Sequence, residues 1–263
     1  MKGGAIALFI VASVAAGCGN SQDRVVVAAG TTLVDSGFIE RVLEEYPAGV
    51  QISVVGGSSR EALALGSAGS AQLLITHLEE AENEFLADHP GAVQSPVFSS
   101  EFVLVGPSEV TLHTSDAVEA FRQIAAEERP FVTRADGSGT AAKEAEIWTL
   151  ARIDPKGQPW YIETGSGMGF TLQVADQRDA FTLAEIGSFL AAESLALVLV
   201  VGEEDDDRLV NPYRLTLIDQ ASEEATQLFE WLLGPVGKEA MISAGLDLFG
   251  EPVYLPTSQE ARP

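Results

Sequence analysis

Residues 130–148 read PFVTRADGSGTAAKEAEIW, the order of a short strand, a polar loop and a helix. Pro130 to Thr133 supplies the strand. From Gly139 to Ala151, Glu144, Ile147, Trp148 and Ala151 recur at helical spacing. The loop between them is Arg134-Ala135-Asp136-Gly137-Ser138-Gly139-Thr140. The first N–H groups of a helix have no intrahelical partner and sit at the positive end of its dipole. Glycine lets backbone approach a ligand closely, and Ser and Thr hydroxyls add uncharged donors. An anion is the natural guest of such a loop, and Arg134 offers it a forked, permanently charged donor. A salt bridge to one of the many nearby carboxylates is the alternative use of that arginine.

The same unit recurs outward along the chain. Strands are expected at Val25–Ala28, Val50–Val55, Ala71–Ile75, Glu101–Val105, Leu195–Val201 and Tyr213–Ile218. Helices are expected at Gly37–Glu45, from Glu61 to Leu65, at Glu79–Ala87, at Asp116–Ala126 with Ser115 as N-cap, and at Gly169–Gln177, Leu183–Ala192, Glu223–Leu233 and Gly237–Ala244. Three further loops join apolar strands to helices: Ala29-Gly30-Thr31-Thr32, Gly56-Gly57-Ser58-Ser59 and Thr164-Gly165-Ser166-Gly167-Met168-Gly169. One such loop is most often a plain turn or cap. Several together, at the carboxyl ends of strands in an α/β architecture, indicate a ligand site. Punctuation at Gly106-Pro107 and Asn211-Pro212 divides the chain into 24–107 plus 210–258 and 108–209, two halves crossed twice by the chain with a cleft between them.

Composition narrows the function. The 263 residues carry 39 acidic and 15 basic side chains, a formal charge of −24, which argues against nucleic acid as a partner. An anion can still bind, because charges beyond a Debye length of roughly 8 Å are screened at physiological salt. The run Glu203 to Asp207 reads as a solvated turn. The serines lack the Gly-x-Ser-x-Gly setting of a nucleophile elbow, and no phosphate-binding Walker string occurs. Residues 137–142 fit the dinucleotide pattern G-x-G-x-x-A, but far from an N-terminal βαβ unit. His77, His89 and His113 have no zinc spacing and read as structural or solvated.

The N-terminus reads MKGGAIALFIVASVAAGC. Its apolar run from Ala5 to Ala16 is shorter than the roughly 20 residues that span a bilayer, and it has the form of a secretory signal. Cys18 is the only cysteine, so it forms no internal disulfide. Ala-Ala-Gly-Cys resembles a bacterial lipobox, with Ala15 where leucine is usual. The reading is therefore a lipoprotein signal over 1–17, lipidation at Cys18 and a tether over 18–23, with an ordinary cleaved signal as the alternative.

With its loops assembled, the chain resembles the tungstate-binding proteins of ABC transporters. The likeness centres on residues 130–148 and on PKGQPWYIETGSGMGFTLQVADQRDAFTLAEIGSFLA at 155–191. It extends to DSG at 35–37, ALALG at 62–66, His77 ahead of an acidic helix, VLVGP at 103–107, NPY at 211–213 and WLLGPVGKEAM at 231–241. The resemblance implies a periplasmic-binding-protein fold of class II, with two βα lobes, two hinge crossings and an oxyanion in the cleft. It implies no catalysis and no cofactor, a monomer, an ABC permease and its ATPase as partners, and a periplasmic or cell-surface location with membrane contact by lipid anchor only. Carried over by position, Arg134 is the cationic contact, joined by Thr31, Thr32, Ser58, Ser59, Ser138, Thr140, Ser166 and Gly167. Two loops depart from the family pattern. Ala29-Gly30 replaces two hydroxyl residues, and Ser58-Ser59-Arg60-Glu61 stands where Gly-Thr-Gly-Gln is usual. Arg60 there is either a second cation near the ligand or a partner of Glu61 or another acid. Molybdate, sulfate and phosphate are alternative ligands; for phosphate, Asp136 or Asp35 would accept the proton. An envelope enzyme acting on a phosphorylated or sulfated substrate is the alternative of another class.

Overall fold

The structure is a computed structural model and describes residues 24–47, 49–192, 194–202 and 206–257. The signal segment, Cys18, the tether and most of the acidic run at 203–207 lie outside the described residues. No described helix is long and apolar enough to cross a membrane.

In chain order the elements are β1 (Arg24–Gly30), α1 (Thr31–Asp35), α2 (Phe38–Leu43), β2 (Gln51–Gly57), α3 (Ser59–Ser67), β3 (Leu73–Thr76), α4 (Glu79–Asp88) and β4 (Val93–Pro107). Then follow α5 (Ala117–Ala126), β5 (Phe131–Thr133), α6 (Gly139–Ala151), β6 (Tyr161–Glu163), α7 (Met168–Gln177), β7 (Thr182–Glu185), α8 (Ile186–Ala191) and β8 (Leu197–Val201). A 3₁₀ turn at Asp207–Leu209 leads to β9 (Val210–Leu217), α9 (Glu223–Leu233), α10 (Pro235–Phe249) and β10 (Leu255–Pro256).

The main sheet runs β10-β4-β9-β3-β1-β2, with β7 and β8 also paired to β4; β5 and β6 form a small parallel pair. β4 holds the architecture together. From Val93 to Glu101 it pairs antiparallel with β9, and from Phe102 it pairs with β7 and then β8. The changeover therefore falls between Glu101 and Phe102. Gly106 and Pro107, read from the sequence as a break, are the end of this strand, because a strand can change neighbours without a turn.

Two cores flank that changeover. On one side, α2, α9 and α10 pack Phe38, Val42, Leu228, Leu232 and Met241 against Val25, Val27, Phe98 and Tyr213. The opposite face of those strands carries Ala28 and Leu74 under α3 and α4. Beyond Phe102, alternation along β4 sends Phe102 and Leu104 toward α5 and α6, and Val103 and Val105 toward α7 and α8.

The helix over Gly139–Ala151 has the bounds expected from periodicity. Other expectations are corrected. Leu183–Ala192 is a strand turning into a helix, because Thr182–Glu185 pairs with β4 before α8 begins. Asp116, not Ser115, caps α5, accepting the Glu119 N–H at 2.8 Å. β8 is an edge strand with Val198 and Leu199 exposed, rather than a buried one. Short α1, β6 and β10 had no periodic signal long enough to read.

Candidate anion-binding site

Parallel pairing brings the loops together two by two. β1 and β2 run in register with Gly30 beside Gly57, so the loops over 29–32 and 56–59 leave the same sheet end side by side. β5 and β6 align Thr133 with Glu163, which does the same for 134–140 and 164–169. The second pair is tied further: Thr164 N–H donates to Thr133 O at 3.0 Å, and Thr164 Oγ1 donates to Arg134 O at 3.4 Å.

The two pairs face one another. A Cβ built on Gly139 would lie 2.6 Å from His77 Nε2, and one built on Gly30 4.0 Å from the same atom. Hence the first and third loops meet at that imidazole, which follows β3. The second loop feels the third through charge. The Ser58 N–H and hydroxyl hold Glu61 below the usual carboxylate range, while Asp136 pushes it the other way. The C-terminal end of α1, at Asp35 and Ser36, and Gly169 of the fourth loop border a common cavity of about 290 Å³.

Arg134 follows β5 and is only 3% exposed. Its Nε and Nη2 both donate to Asp136 Oδ2, at 3.0 and 2.6 Å, and Asp136 Oδ1 accepts the Ser138 N–H at 3.1 Å. So the salt bridge weighed for this arginine exists, but inside its own loop, where it orients the guanidinium. Burial pushes the Asp136 carboxyl up, yet the Ser138 hydrogen bonds and the Arg134 charge outweigh it, leaving the group below its usual range. The tight pairing needs left-handed backbone at Ala135 (φ 50°) and Gly137 (φ 73°). At Ala135 that conformation is strained, as at many functional loops.

Beside this pair, Ser138 caps α6 by accepting the Ala141 N–H, and Thr140, 1% exposed, has no hydrogen-bond partner for its Oγ1 among the described residues. A buried hydroxyl without a partner is costly unless something else meets it. From the second loop, Ser59 Oγ accepts the His77 N–H at 3.3 Å and keeps its own proton to donate. Thr32 Oγ1 lies 3.2 Å from the Tyr213 hydroxyl. Thr31 opens α1, Ser58 caps α3, Ser166 Oγ donates to Thr164 O at 3.3 Å, and Gly167 is the N-cap of α7.

Arg60 does not join them. Its half-exposed side chain reaches away to Glu80 and Glu84 of α4, at 3.6 and 3.5 Å, while Glu61 completes a capping box with Ser58. Reading the loops missed the residues behind them: His77, Asn211, Tyr213 and the role of Asp136. His77 and the NPY stretch had been noted only as points of likeness, because contacts between distant segments leave no local pattern.

The parallel pairs β1–β2 and β5–β6 thus set their following loops side by side in a mixed α/β fold. The chain belongs to the PBP superfamily, whose domain pattern matches residues 16–236. It is 31% identical over 252 residues to the tungstate-binding protein TupA of Peptoclostridium acidaminophilum, a match covering 90% of this chain and 87% of that one. Among solved structures, that described as the tungstate ABC transporter from Geobacter sulfurreducens superposes with a TM-score of 0.73 at 30% identity, over 84% of this chain and 98% of that chain. The tungstate-binding protein TupA from Desulfovibrio alaskensis G20 superposes with a TM-score of 0.75 at 22% identity, over 90% and 99% of the two chains, a likeness of fold.

Proposed function

We propose that this chain captures tungstate outside the cytoplasmic membrane and delivers it to an ABC importer. The observation that carries the reading is Arg134, buried and oriented by Asp136 beside the unpartnered Thr140 hydroxyl at the start of α6. The names of its relatives support tungstate as the ligand. In this reading Thr31, Thr32, Ser58, Ser59, Ser138, Thr140, Ser166 and Gly167 complete the donor set. The protein works as two lobes, 24–101 with 210–257 and 102–209, that close on the anion by hinge motion because the ligand bridges donors from both.

The donor set suits a dianion without a proton. Hydrogen phosphate needs an acceptor as well. Asp136 already receives Arg134 and Ser138, and Asp35 is exposed at the end of α1. Export by the N-terminal signal and anchoring through a lipid on Cys18 belong to the same proposal.

Calorimetric titration of the mature protein with tungstate, molybdate, sulfate and phosphate tests it. Tungstate is expected to bind most tightly and phosphate least. Binding of none of the four would overturn the capture role, and a preference for phosphate would overturn the donor-only site.

A further inference from the structure

His77 lies outside the four donor loops, yet its ring is where two of them meet. Its plane is fixed by stacking on Tyr213, with centroids 4.6 Å apart and 13° between planes. Phe102 stacks more distantly at 6.2 Å. Nδ1 lies 2.8 Å from Asn211 Oδ1, Asn211 Nδ2 lies 3.3 Å from the Tyr213 hydroxyl, and that hydroxyl lies 3.2 Å from Thr32 Oγ1. One ring nitrogen is therefore held by a chain of polar groups that ends in the first loop. The other, Nε2, faces Gly139, the residue before Thr140.

We infer that His77 is a ligand-contacting residue, whose Nε2–H donates to the bound oxyanion between the Thr32 and Thr140 hydroxyls. The inference rests on the capture reading and adds to it a donor from β3's end that closes the gap between the two halves. It also explains a glycine. Any side chain at 139 would drive a Cβ into the imidazole, within 2.5 Å of Cε1.

The proton inventory is consistent. Burial, with the nearby Arg134 charge adding to it and the Asn211 hydrogen bond opposing it, pushes the His77 pKa down to about 4. The ring is neutral at pH 7 and has one N–H to place. As placed, Asn211 Oδ1 faces Nδ1 and would accept the ring proton there, but the amide meets the same two neighbours when turned over. With Nδ2 toward the ring, it donates to Nδ1, its oxygen accepts the Tyr213 hydroxyl, and the imidazole proton sits on Nε2. A neutral donor adds a hydrogen bond without adding charge beside Arg134.

Two substitutions separate this contact from a packing role. His77→Gln places an amide N–H near the position of Nε2, whereas His77→Asn keeps a polar group near Nδ1 for Asn211 and loses the pocket donor. Calorimetry is expected to find His77→Gln within about threefold of the unsubstituted protein and His77→Asn weaker by about 10- to 100-fold, the range of a hydrogen bond to a charged acceptor. Melting of the anion-free proteins should differ little. Tungstate affinity in His77→Asn equal to that of the unsubstituted protein, or equal loss in both variants, would overturn the assignment. Nitrogen NMR of the unsubstituted complex gives an independent test if a variant misfolds. Protonated Nε2 is expected, and a bare Nε2 with the proton on Nδ1 rejects the contact. If the unsubstituted protein binds no oxyanion, the capture reading fails as well. If it binds and Arg134→Ala abolishes binding while His77→Asn does not, only the His77 assignment falls.

Discussion

Arg134 and Asp136 form a pair within one loop, two guanidinium nitrogens of the former converging on a single carboxylate oxygen of the latter. The guanidinium is thereby aimed before any ligand arrives. Arg134→Ala should reduce tungstate affinity roughly 100-fold or more, through loss of charged hydrogen bonds in a buried site. Arg134→Lys should restore little of it, since an ammonium cannot reproduce the fork. Calorimetry of both variants checks this, and unchanged affinity in the alanine variant would reject the site.

Asp136→Ala removes the partner but leaves the cation. An unpaired buried charge costs about 3–5 kcal/mol, so the anion-free protein should melt at lower temperature. A bound dianion supplies replacement oxygens. The rise in Tm on adding tungstate should therefore be larger in Asp136→Ala than in the unsubstituted protein, measured by scanning calorimetry at equal ligand concentration.

Gly139→Ala sets a methyl group against His77. In the two-lobe reading proposed above, the two residues belong to different lobes, so the anion-free molecule can relieve the clash by opening. Tungstate affinity should fall about tenfold or more, the scale of an overpacking penalty, with the anion-free Tm little changed. Small-angle scattering should register the lost compaction on adding anion.

Arg60→Ala should leave tungstate affinity within about twofold. Its ion pairs with Glu80 and Glu84 are exposed, and such pairs contribute about 0–1 kcal/mol. Calorimetry beside Arg134→Ala provides the contrast. A large loss would mean that Arg60 swings inward on closure.

Glu144 carries a pH signature. Burial pushes its carboxyl up to about 7, against hydrogen bonds from Tyr161, Thr133 and Trp148 that pull it down. Between its ordinary value of 4.5 and 7, the folded protein keeps a proton that the unfolded chain has released. Stability from this group is thus present in acid and is lost as pH rises through that window, on the order of 3 kcal/mol. Glu144→Gln keeps an acceptor for the Tyr161 hydroxyl and should flatten the profile. Denaturant unfolding between pH 5 and pH 8 reads the difference. An equally steep decline in both proteins would assign the dependence elsewhere.

What the sequence made legible was local. Gly139–Ala151 could be bounded because Ser138 caps it and its buried side chains repeat along one face. The loops could be found because glycine and hydroxyl residues follow apolar strands. By contrast, β7 was absorbed into a helix because all of Thr182–Glu185 is buried, which erases the alternation that marks a strand. The boundary between halves was read at Gly106-Pro107 because turn residues are visible, whereas a strand's change of neighbours, as in β4 at Glu101–Phe102, leaves no such mark. Likewise, the meeting of His77 with Gly139 joins segments over sixty residues apart. Which of its two uses Arg60 takes could not be read while the position of α4, which carries Glu80 and Glu84, was unknown.

The place of β9 between β3 and β4 governs the order in which the polypeptide can fold. As the chain emerges from its N-terminus, β1, β2 and β3 can associate early, but the gap beside β3 cannot be filled until Val210–Leu217 has been made. Meanwhile the intervening segment from Phe102 to Leu209 can assemble as a continuous insert. Completion of the first-begun half is therefore one of the last events in its own folding, and a chain arrested before Leu217 would leave the facing edges of β3 and β4 unpaired.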